Sequence, residues 1–224
     1  MKPRIKLGQA VLPGGRLMLF EHDTAFSISM NGQELMDSRA HASEQQLGEL
    51  GMEQRGRGSC DRILIGGLGL GFTLRSVLEG ASMQAQVEVV ELVEAVVDWN
   101  RGPLRKLNGV LLDDPRVELR IAEVGECIRQ APAASWDVIL MDVDNGPVAM
   151  VHDANASLYS LNGLREVHQA LRPDGRAVFW SAGPDERFER RLRQAKFRVR
   201  TVPAKVHAGS RQRNYRLFVA DRMG

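Results

Sequence analysis

Residues 62–71 read RILIGGLGLG, and this stretch decides the fold class of the chain. Residues 63–65 are a short apolar run of β-forming residues, too short for a helix, and predict a buried strand. Apolar residues then return at helical spacing over residues 72–79, and Gly80 ends that pattern. Between the two segments lie three glycines spaced two residues apart: Gly67, Gly69 and Gly71. The stretch therefore predicts a strand, a glycine-rich turn and a helix.

Glycines suit a turn of this kind because they adopt positive φ angles and let the backbone approach a ligand closely. The start of the following helix adds unpaired N–H groups at the same place. A turn with a purely structural role is the alternative interpretation, although it would need one or two glycines and residues 66–71 contain four. The G-x-G-x-G spacing is tighter than the G-x-G-x-x-G pattern of dinucleotide-binding folds. It therefore favours S-adenosylmethionine or a related ligand over NAD.

An acidic residue follows at a spacing that supports this interpretation. Residues 86–93, QVEVVELV, predict a second strand with Glu91 near its end, 20 residues beyond Gly71. Doubly wound folds place a ribose-binding acid at about this position. The glycine turn and Glu91 together favour a ligand that contains a nucleoside.

Composition limits the class of protein. The chain has 224 residues, 43% apolar and 26% charged, with a formal net charge of +2. These values are ordinary for a globular α/β domain with an appendage, and so small a charge does not call for a nucleic-acid partner. Cys60 and Cys127 fit neither a paired metal-ligand spacing nor a disulfide framework, so we expect no metal and a cytoplasmic location. We expect no membrane partner, because no apolar run approaches a membrane span and no signal-peptide pattern is present.

The N-terminal part predicts a small antiparallel β unit. Strand-like segments at residues 16–21 and 25–30 are followed by Asn31 and Gly32, which form a strong hairpin signal. Residues 33–36 predict the returning strand. A hairpin or small meander is not stable alone, so it should pack on the rest of the chain or on another subunit. The sequence is thus compatible with a homodimer.

The next segment changes character and marks a boundary. Residues 38–52 predict a helix that begins with a capping box, Ser43-x-x-Gln46. A polar, glycine-bearing loop then leads into the strand before the glycine turn. We therefore predict a small N-terminal domain of hairpin and helix over residues 1–55 and a second domain over residues 56–224.

Strands and helices alternate through the second domain, which predicts an α/β fold with a mostly parallel, doubly wound sheet. Beyond the first two strands we predict strands at residues 117–121, 136–142, 176–181, 197–202 and 215–220. Beyond the helix after the glycine turn we predict helices at residues 94–101, 124–130, 156–171 and 185–195.

Ligands of open parallel sheets bind at the carboxyl ends of the strands, and acidic residues follow several of them here. Glu123 follows the third strand, and Asp142 and Asp144 come at the end of the fourth. An acid at a helix start also serves as a cap, and for Glu123 that role is an open alternative. Two carboxylates this close to a buried strand indicate a cation, a donor or water beside them.

Five segments, taken in order, resemble the successive motifs of the spermidine/spermine synthase family. They are ILIGGLGLG, VEVVELVEAVVDWNR, DPRVELRIAEVGECI, WDVILMDVDNGP and LREVHQALRPDGRAVF. The similarity runs from about residue 63 to residue 178. It implies a Rossmann-like, class I methyltransferase-type core, so residues 56–224 would be an adenosyl-sulfur-binding domain.

The resemblance also implies roles for individual residues on the nucleoside side. The glycines would cradle the nucleoside and the sulfonium end of the ligand: Gly67, Gly69 and Gly71. Glu91 would accept hydrogen bonds from the ribose hydroxyls. Glu123 would reach the adenine amino group.

On the acceptor side, Asp142 matches the catalytic acid/base position of the family, and Asp144 would be a second anchor for the amine. Asn145 aligns with the family's second aspartate, and Glu44 is the residue retained from its Y-H/Q-E motif. Tyr159 aligns with an aromatic near the following helix. Glu44, Asn145 and Tyr159 are therefore predicted to bind the substrate.

The implied reaction moves an aminopropyl group from decarboxylated S-adenosylmethionine to a small-molecule amine. Two alternatives stay open. The same nucleoside site could serve an S-adenosylmethionine-dependent methyltransferase, or it could belong to a non-catalytic nucleoside-binding paralogue.

Overall fold

The fold contains two sheets with helices around the larger one. The structure is a computed structural model of the chain. It describes residues 3–53, 61–143, 157–204 and 215–223. The predicted boundary between residues 55 and 56 lies outside these ranges, so the two-domain division stays a prediction. Across the described ranges, no helix combines the length and the apolar composition needed to cross a membrane.

The N-terminal sheet is a four-stranded antiparallel meander. Its strands, in spatial order, are β1 (Ile5–Leu12), β2 (Gly15–His22), β3 (Ala25–Met30) and β4 (Gln33–Asp37). Asn31 and Gly32 have φ angles of 51° and 85°, the positive values that a tight two-residue hairpin turn requires. The hairpin prediction is confirmed, and the sheet is larger than the three predicted strands because β1 was not recognised.

Helix α1 (Ala42–Met52) follows the small sheet and begins differently from the prediction. Its N-cap is His41, which makes no side-chain capping hydrogen bond. The predicted capping box is therefore wrong. The Ser43 hydroxyl lies within the helix and donates to Glu44 Oε2 at 2.6 Å.

The large sheet has seven strands in the order β10-β11-β9-β8-β5-β6-β7. They are β5 (Arg62–Gly66), β6 (Gln86–Glu91), β7 (Val117–Ile121), β8 (Trp136–Met141), β9 (Leu171–Ser181), β10 (Phe197–Ala204) and β11 (Tyr215–Arg222). Strands β5 to β9 pair in parallel, and β10 and β11 add an antiparallel edge. The predicted α/β fold with a mostly parallel sheet is confirmed.

Within the described residues, six further α-helices with both ends described connect and cover these strands. They are α2 (Phe72–Gly80), α3 (Glu94–Arg101), α4 (Arg105–Asn108), α5 (Val124–Gln130), α6 (Leu161–Ala170) and α7 (Glu186–Gln194). Buried residues of the N-terminal sheet, α1, α2 and α3 form one core on one face of the large sheet, and those of α5, α6 and α7 form a second core on the other. Burial on both faces explains why the central strands read as continuous apolar runs.

Two boundaries near α6 differ from the predicted ones. The helix is shorter than residues 156–171, because the Ser160 hydroxyl caps it by accepting from Gly163 N at 3.1 Å. Strand β9 begins earlier than predicted, at Leu171. The Pro-Asp-Gly sequence lies within β9, where Asp174 adopts a φ of 59° and the register with β8 shifts. Because a bulge of this kind uses residues that are typical of turns, the sequence of the strand predicts a turn at this point.

His168 on α6 is a half-buried histidine whose pKa is lowered by its surroundings. Its ring lies edge-on to Phe197 with the centroids 5.1 Å apart, and its Nε2 has no hydrogen-bond partner among the described residues. Burial lowers the pKa of His168, and the nearby charges of Arg222 and Lys196 lower it further. As the pH falls through about 6.5, the unfolded chain therefore takes up this proton before the folded protein does.

We expect His168 to make the folded state less stable at mildly acidic pH. Between about pH 7 and about pH 5.5 this group should lower the free energy of unfolding, because the unfolded chain binds the proton more readily than the folded protein does. Urea denaturation at both pH values measures the loss, which should shrink in His168→Gln. The control is His22→Gln on β2. An unchanged pH dependence in His168→Gln would show that this histidine is not the responsible group.

Candidate active site

A cavity lies where the carboxyl ends of the central parallel strands face the N-terminal sheet. Five of the predicted site residues line this cavity, and all five belong to the large sheet or its loops. They are Gly67, Gly69, Glu91, Glu123 and Asp142. The N-terminal sheet closes the opposite side with an apolar wall formed by Leu12, Leu17, Ile28, Met30, Leu35 and Met36. The structure thus brings the glycine loop and the three acidic residues to one cavity, as the topology predicted.

The glycine loop is tightly surrounded where it lines the cavity. Gly67 has a φ of 95°, and a Cβ on it would lie 2.5 Å from the Asp142 carbonyl oxygen. Gly69 has a φ of 49°, and a Cβ there would lie 3.0 Å from the sulfur of Met36. Both positions need glycine for its backbone conformation, and Gly67 needs it also for the close approach of β8.

Gly71 lies at the start of α2, and its predicted role in ligand binding stays a prediction. It is the N-cap of α2 with a φ of 85°, and it is not among the described residues that line the cavity. A Cβ on Gly71 would lie 2.6 Å from Asn108 Nδ2. Asn108 donates to the Leu70 carbonyl, and Asn100 donates to the Gly69 carbonyl at 2.9 Å. These two buried asparagines hold the loop in shape.

Gly67→Ala should be more costly than another substitution at positive φ. Gly32 is the matched control, because its φ is 85° and no atom lies within 4 Å of the added methyl. Gly32→Ala should lower the free energy of unfolding by about 1–2 kcal/mol, the cost of a left-handed conformation with a side chain. Gly67→Ala carries that cost and a backbone clash, so urea denaturation should show a clearly larger loss. Equal losses would contradict the close packing of the loop against β8.

Glu91 is the last residue of β6 and is only 8% exposed. Its Oε2 accepts from Leu68 N and its Oε1 accepts from Val93 N, both at 2.9 Å. The first bond ties the carboxylate to the glycine loop and the second to the start of α3. Each oxygen retains acceptor capacity beyond its one main-chain bond, so the carboxylate can also receive hydroxyl donors.

Glu123 caps α5 and lines the cavity at the same time. Its side chain accepts from Gly125 N at 2.7 Å and from Glu126 N at 2.8 Å, and Arg129 lies 3.5 Å away. The capping interpretation that the sequence left open is therefore confirmed. The contact with an adenine amino group stays a prediction.

Asp142 follows β8 directly and is held by its neighbours. Its backbone N–H donates to the Gly66 carbonyl at 2.9 Å, and Thr73 Oγ1 lies 2.6 Å from its Oδ2. Asp144 and Asn145 lie outside the described residues.

Two residues predicted to bind the substrate lie away from the described lining of the cavity. The Glu44 carboxylate accepts from the Ser43 hydroxyl on α1. Tyr159 packs in the core on the opposite face of the large sheet, with its ring centroid 5.3 Å from that of Phe188 and 6.1 Å from that of Phe179. Their predicted roles in substrate binding remain predictions.

The cavity is lined by acidic residues set among apolar side chains. Three carboxylates line it, and the described lining residues include no lysine, arginine or histidine. Apolar side chains make up most of the remaining surface. Such a cavity suits a ligand that combines positive charge with flat or aliphatic apolar parts, since a buried carboxylate needs a cation or hydrogen-bond donors beside it.

Comparison with known proteins finds relatives of this chain. Residues 41–194 match the Spermine/spermidine synthase domain family. Polyamine aminopropyltransferase 2 of Pseudomonas aeruginosa is 36% identical over 119 residues, which cover 51% of this chain and 31% of the relative. Putrescine N-methyltransferase 1 of Nicotiana tabacum is 32% identical over 116 residues, which cover 51% of this chain and 28% of the relative. The alignments thus span less than one third of either relative.

A solved structure superposes on nearly the entire length of this chain. Spermidine synthase from Thermotoga maritima superposes with a TM-score of 0.78 at 21% identity, covering 97% of this chain and 72% of that one. At this identity the superposition shows a shared fold. Because the family match extends from α1 through α7 and contains the glycine loop, Glu91, Glu123 and Asp142, the chain belongs to the spermine/spermidine synthase family.

Proposed function

We propose that this protein is a transferase that moves an aminopropyl group from decarboxylated S-adenosylmethionine to an amine acceptor. The observation that carries the proposal is the single cavity in which the glycine loop, Glu91 and Asp142 meet. Family membership and the relatives named as aminopropyltransferases support it.

The donor fits the cavity from its nucleoside end. Its ribose hydroxyls would donate to the Glu91 carboxylate, which is already oriented by two main-chain N–H groups. The adenine would lie beside Glu123, between the loops after β6 and β7 and the apolar wall of the N-terminal sheet. The sulfonium would then lie in the part of the cavity that Gly67 and Asp142 line.

Charge favours the decarboxylated donor over S-adenosylmethionine. Both charges of the decarboxylated compound, the sulfonium and the primary ammonium, are positive and would meet carboxylates. The carboxylate of S-adenosylmethionine would meet no cationic side chain among the lining residues that the structure describes. Burying an unpaired carboxylate is costly, so this cavity should discriminate between the two donors.

The reaction needs a neutral amine close to the donor. The attacking amine is an ammonium ion at neutral pH, because alkyl amines resemble lysine with a pKa near ~10. Asp142 would hold this ammonium ion and accept its proton. The nitrogen lone pair then forms a bond to the aminopropyl carbon while the bond from that carbon to sulfur breaks. The electron pair stays on sulfur, so the leaving group is neutral methylthioadenosine, and in-line placement of both reactants supplies much of the acceleration.

A methyltransferase is the second candidate, favoured by the similarity to putrescine N-methyltransferase 1. The same glycine loop and Glu91 would bind S-adenosylmethionine, and the methyl carbon would be the one attacked. The non-catalytic paralogue is the third candidate. A cytoplasmic location and a homodimer stay predictions from the sequence.

Product analysis with two donors separates the three candidates. The purified protein is incubated with a panel of mono-, di- and polyamines, once with decarboxylated S-adenosylmethionine and once with S-adenosylmethionine. We expect methylthioadenosine to accumulate with the first donor and no S-adenosylhomocysteine with the second. The reverse pattern would make the protein a methyltransferase. Donor binding by calorimetry without either product would make it a binding paralogue.

A further inference from the structure

Thr73 is a buried polar residue that no sequence motif marks as part of the site. It lies in the first turn of α2, two residues after the N-cap Gly71, and it is 1% exposed. Its hydroxyl oxygen lies 2.6 Å from Asp142 Oδ2. Residues 73 and 142 are far apart in sequence and meet because α2 begins beside the end of β8.

The hydroxyl has two acceptors within reach and one proton to donate. The second acceptor is the carbonyl oxygen of Glu44 on α1, at 3.2 Å. The bond to Asp142 is shorter, and its acceptor is an ionisable carboxylate, which strengthens a hydrogen bond. The proton therefore goes to Asp142, and the Glu44 carbonyl marks where α1 approaches the same point.

The surroundings of this contact favour a carboxylate that is fixed in position. The N-terminus of α2 carries a partial positive charge, which stabilises an anion beside its first turn. The close contact of Gly67 with the Asp142 carbonyl fixes the backbone. The backbone contact does not fix the side-chain rotation of Asp142. The hydrogen bond from the Thr73 hydroxyl to Oδ2 restrains that rotation.

We propose that Thr73 is a positioning residue for the transfer reaction, holding Oδ2 of Asp142 so that the carboxylate is aimed at the attacking amine. This inference rests on the proposed function, since it gives Thr73 its role through Asp142. Residues of α1, α2 and the end of β8 meet at Thr73 Oγ1. The donor site itself does not include Thr73, so donor affinity should not depend on the hydroxyl.

The test compares Thr73→Val, which keeps the shape and removes the donor, with Thr73→Ser, which keeps the hydroxyl. Ser76→Ala is the matched control. Ser76 is a buried hydroxyl one turn later on α2 that donates to the Gln45 carbonyl of α1 at 2.8 Å and has no contact with Asp142. Rates of methylthioadenosine release give kcat and the KM for the donor, and calorimetry gives the affinity for methylthioadenosine.

We expect Thr73→Val to lower kcat by roughly 10- to 100-fold, in line with the loss of a hydrogen bond to a charged group. The donor KM and the methylthioadenosine affinity should stay within about twofold, and Thr73→Ser should recover most of kcat. Ser76→Ala should keep the wild-type kcat even where its melting temperature falls. A kcat for Thr73→Val equal to that of Ser76→Ala would overturn the inference.

Failure of the proposed function would look different. A wild-type protein that releases no methylthioadenosine contradicts aminopropyl transfer itself, before any variant is made. In that case a crystal structure of Thr73→Val decides the geometric part of the inference. A carboxylate of Asp142 that keeps its wild-type orientation would show that Thr73 does not hold it.

Discussion

Asp142→Asn should lower kcat by about 10²- to 10⁴-fold, the usual contribution of a positioned acid or base. The amide has nearly the same shape as the carboxylate and can still accept from Thr73 Oγ1, so the cavity should keep its form. It carries no negative charge to hold the incoming ammonium ion, and it cannot take up the proton. Steady-state rates of methylthioadenosine release measure the loss, and calorimetry with methylthioadenosine should show nearly unchanged affinity.

The matched control for this variant is Asp137→Asn on the same strand. Asp137 lies at the opposite end of β8, where it accepts from Arg62 N at 2.8 Å and from Arg172 at 2.9 Å. Its loss should affect stability and leave kcat near the wild-type value. Unchanged turnover in Asp142→Asn, or an equal loss in both variants, would rule out the role assigned to Asp142.

Glu91→Ala should act on donor binding. The carboxylate would receive the ribose hydroxyls, and hydrogen bonds to charged groups contribute about 1.5–3 kcal/mol each. Losing one such bond corresponds to roughly a 10- to 100-fold weaker affinity for the donor and for methylthioadenosine. The variant should also be less stable, because the backbone N–H groups of Leu68 and Val93 lose their acceptor.

Calorimetry well below the melting temperature measures this affinity without interference from unfolding. Glu88→Ala is the matched control, because Glu88 carries the same charge on the same strand and lies 3.7 Å from Arg120, away from the cavity. Donor affinity in Glu88→Ala should equal that of the wild type. If Glu91→Ala also binds the donor as tightly as the wild type does, Glu91 does not contact the ribose.

Much of the site followed from the sequence because it depends on topology and local spacing. A strand, a glycine turn and a helix place Gly67 at the carboxyl edge of the sheet, and the parallel pairing of β5 with β6 and β8 brings Glu91 and Asp142 to the same edge. Alternation of strands and helices was sufficient for the fold class. Each of these features is marked by a local pattern in the sequence, and the parallel order of the strands explains why patterns far apart along the chain meet at one edge.

The features that sequence reasoning missed depend on contacts between distant segments. Asn100 and Asn108 look like ordinary polar residues of short helices, and their role in holding the glycine loop appears only when α3 and α4 lie beside that loop. Thr73 was read as part of a helix and not as a neighbour of Asp142. Strand β1 was missed because its ladder with β2 is interrupted by a bulge between Lys6 and Gly8, which breaks the alternation that marks a strand.

The capping box failed for a local reason. Ser43 and Gln46 have the right spacing, but the helix begins one residue before Ser43, so its hydroxyl is already inside the first turn and bonds to the neighbouring carboxylate. A shift of one residue in the start of a helix changes which side chain can cap it. A sequence motif alone does not determine that starting residue.

The most direct test of the account follows the transferred group itself. The protein is incubated with an amine acceptor and decarboxylated S-adenosylmethionine that carries an isotopic label in its aminopropyl carbons, and all products are separated by mass. The account predicts that the label appears in the acceptor amine, with methylthioadenosine formed in equal amount. Label that stays in the donor, or methylthioadenosine released without a labelled amine, would contradict aminopropyl transfer by this cavity.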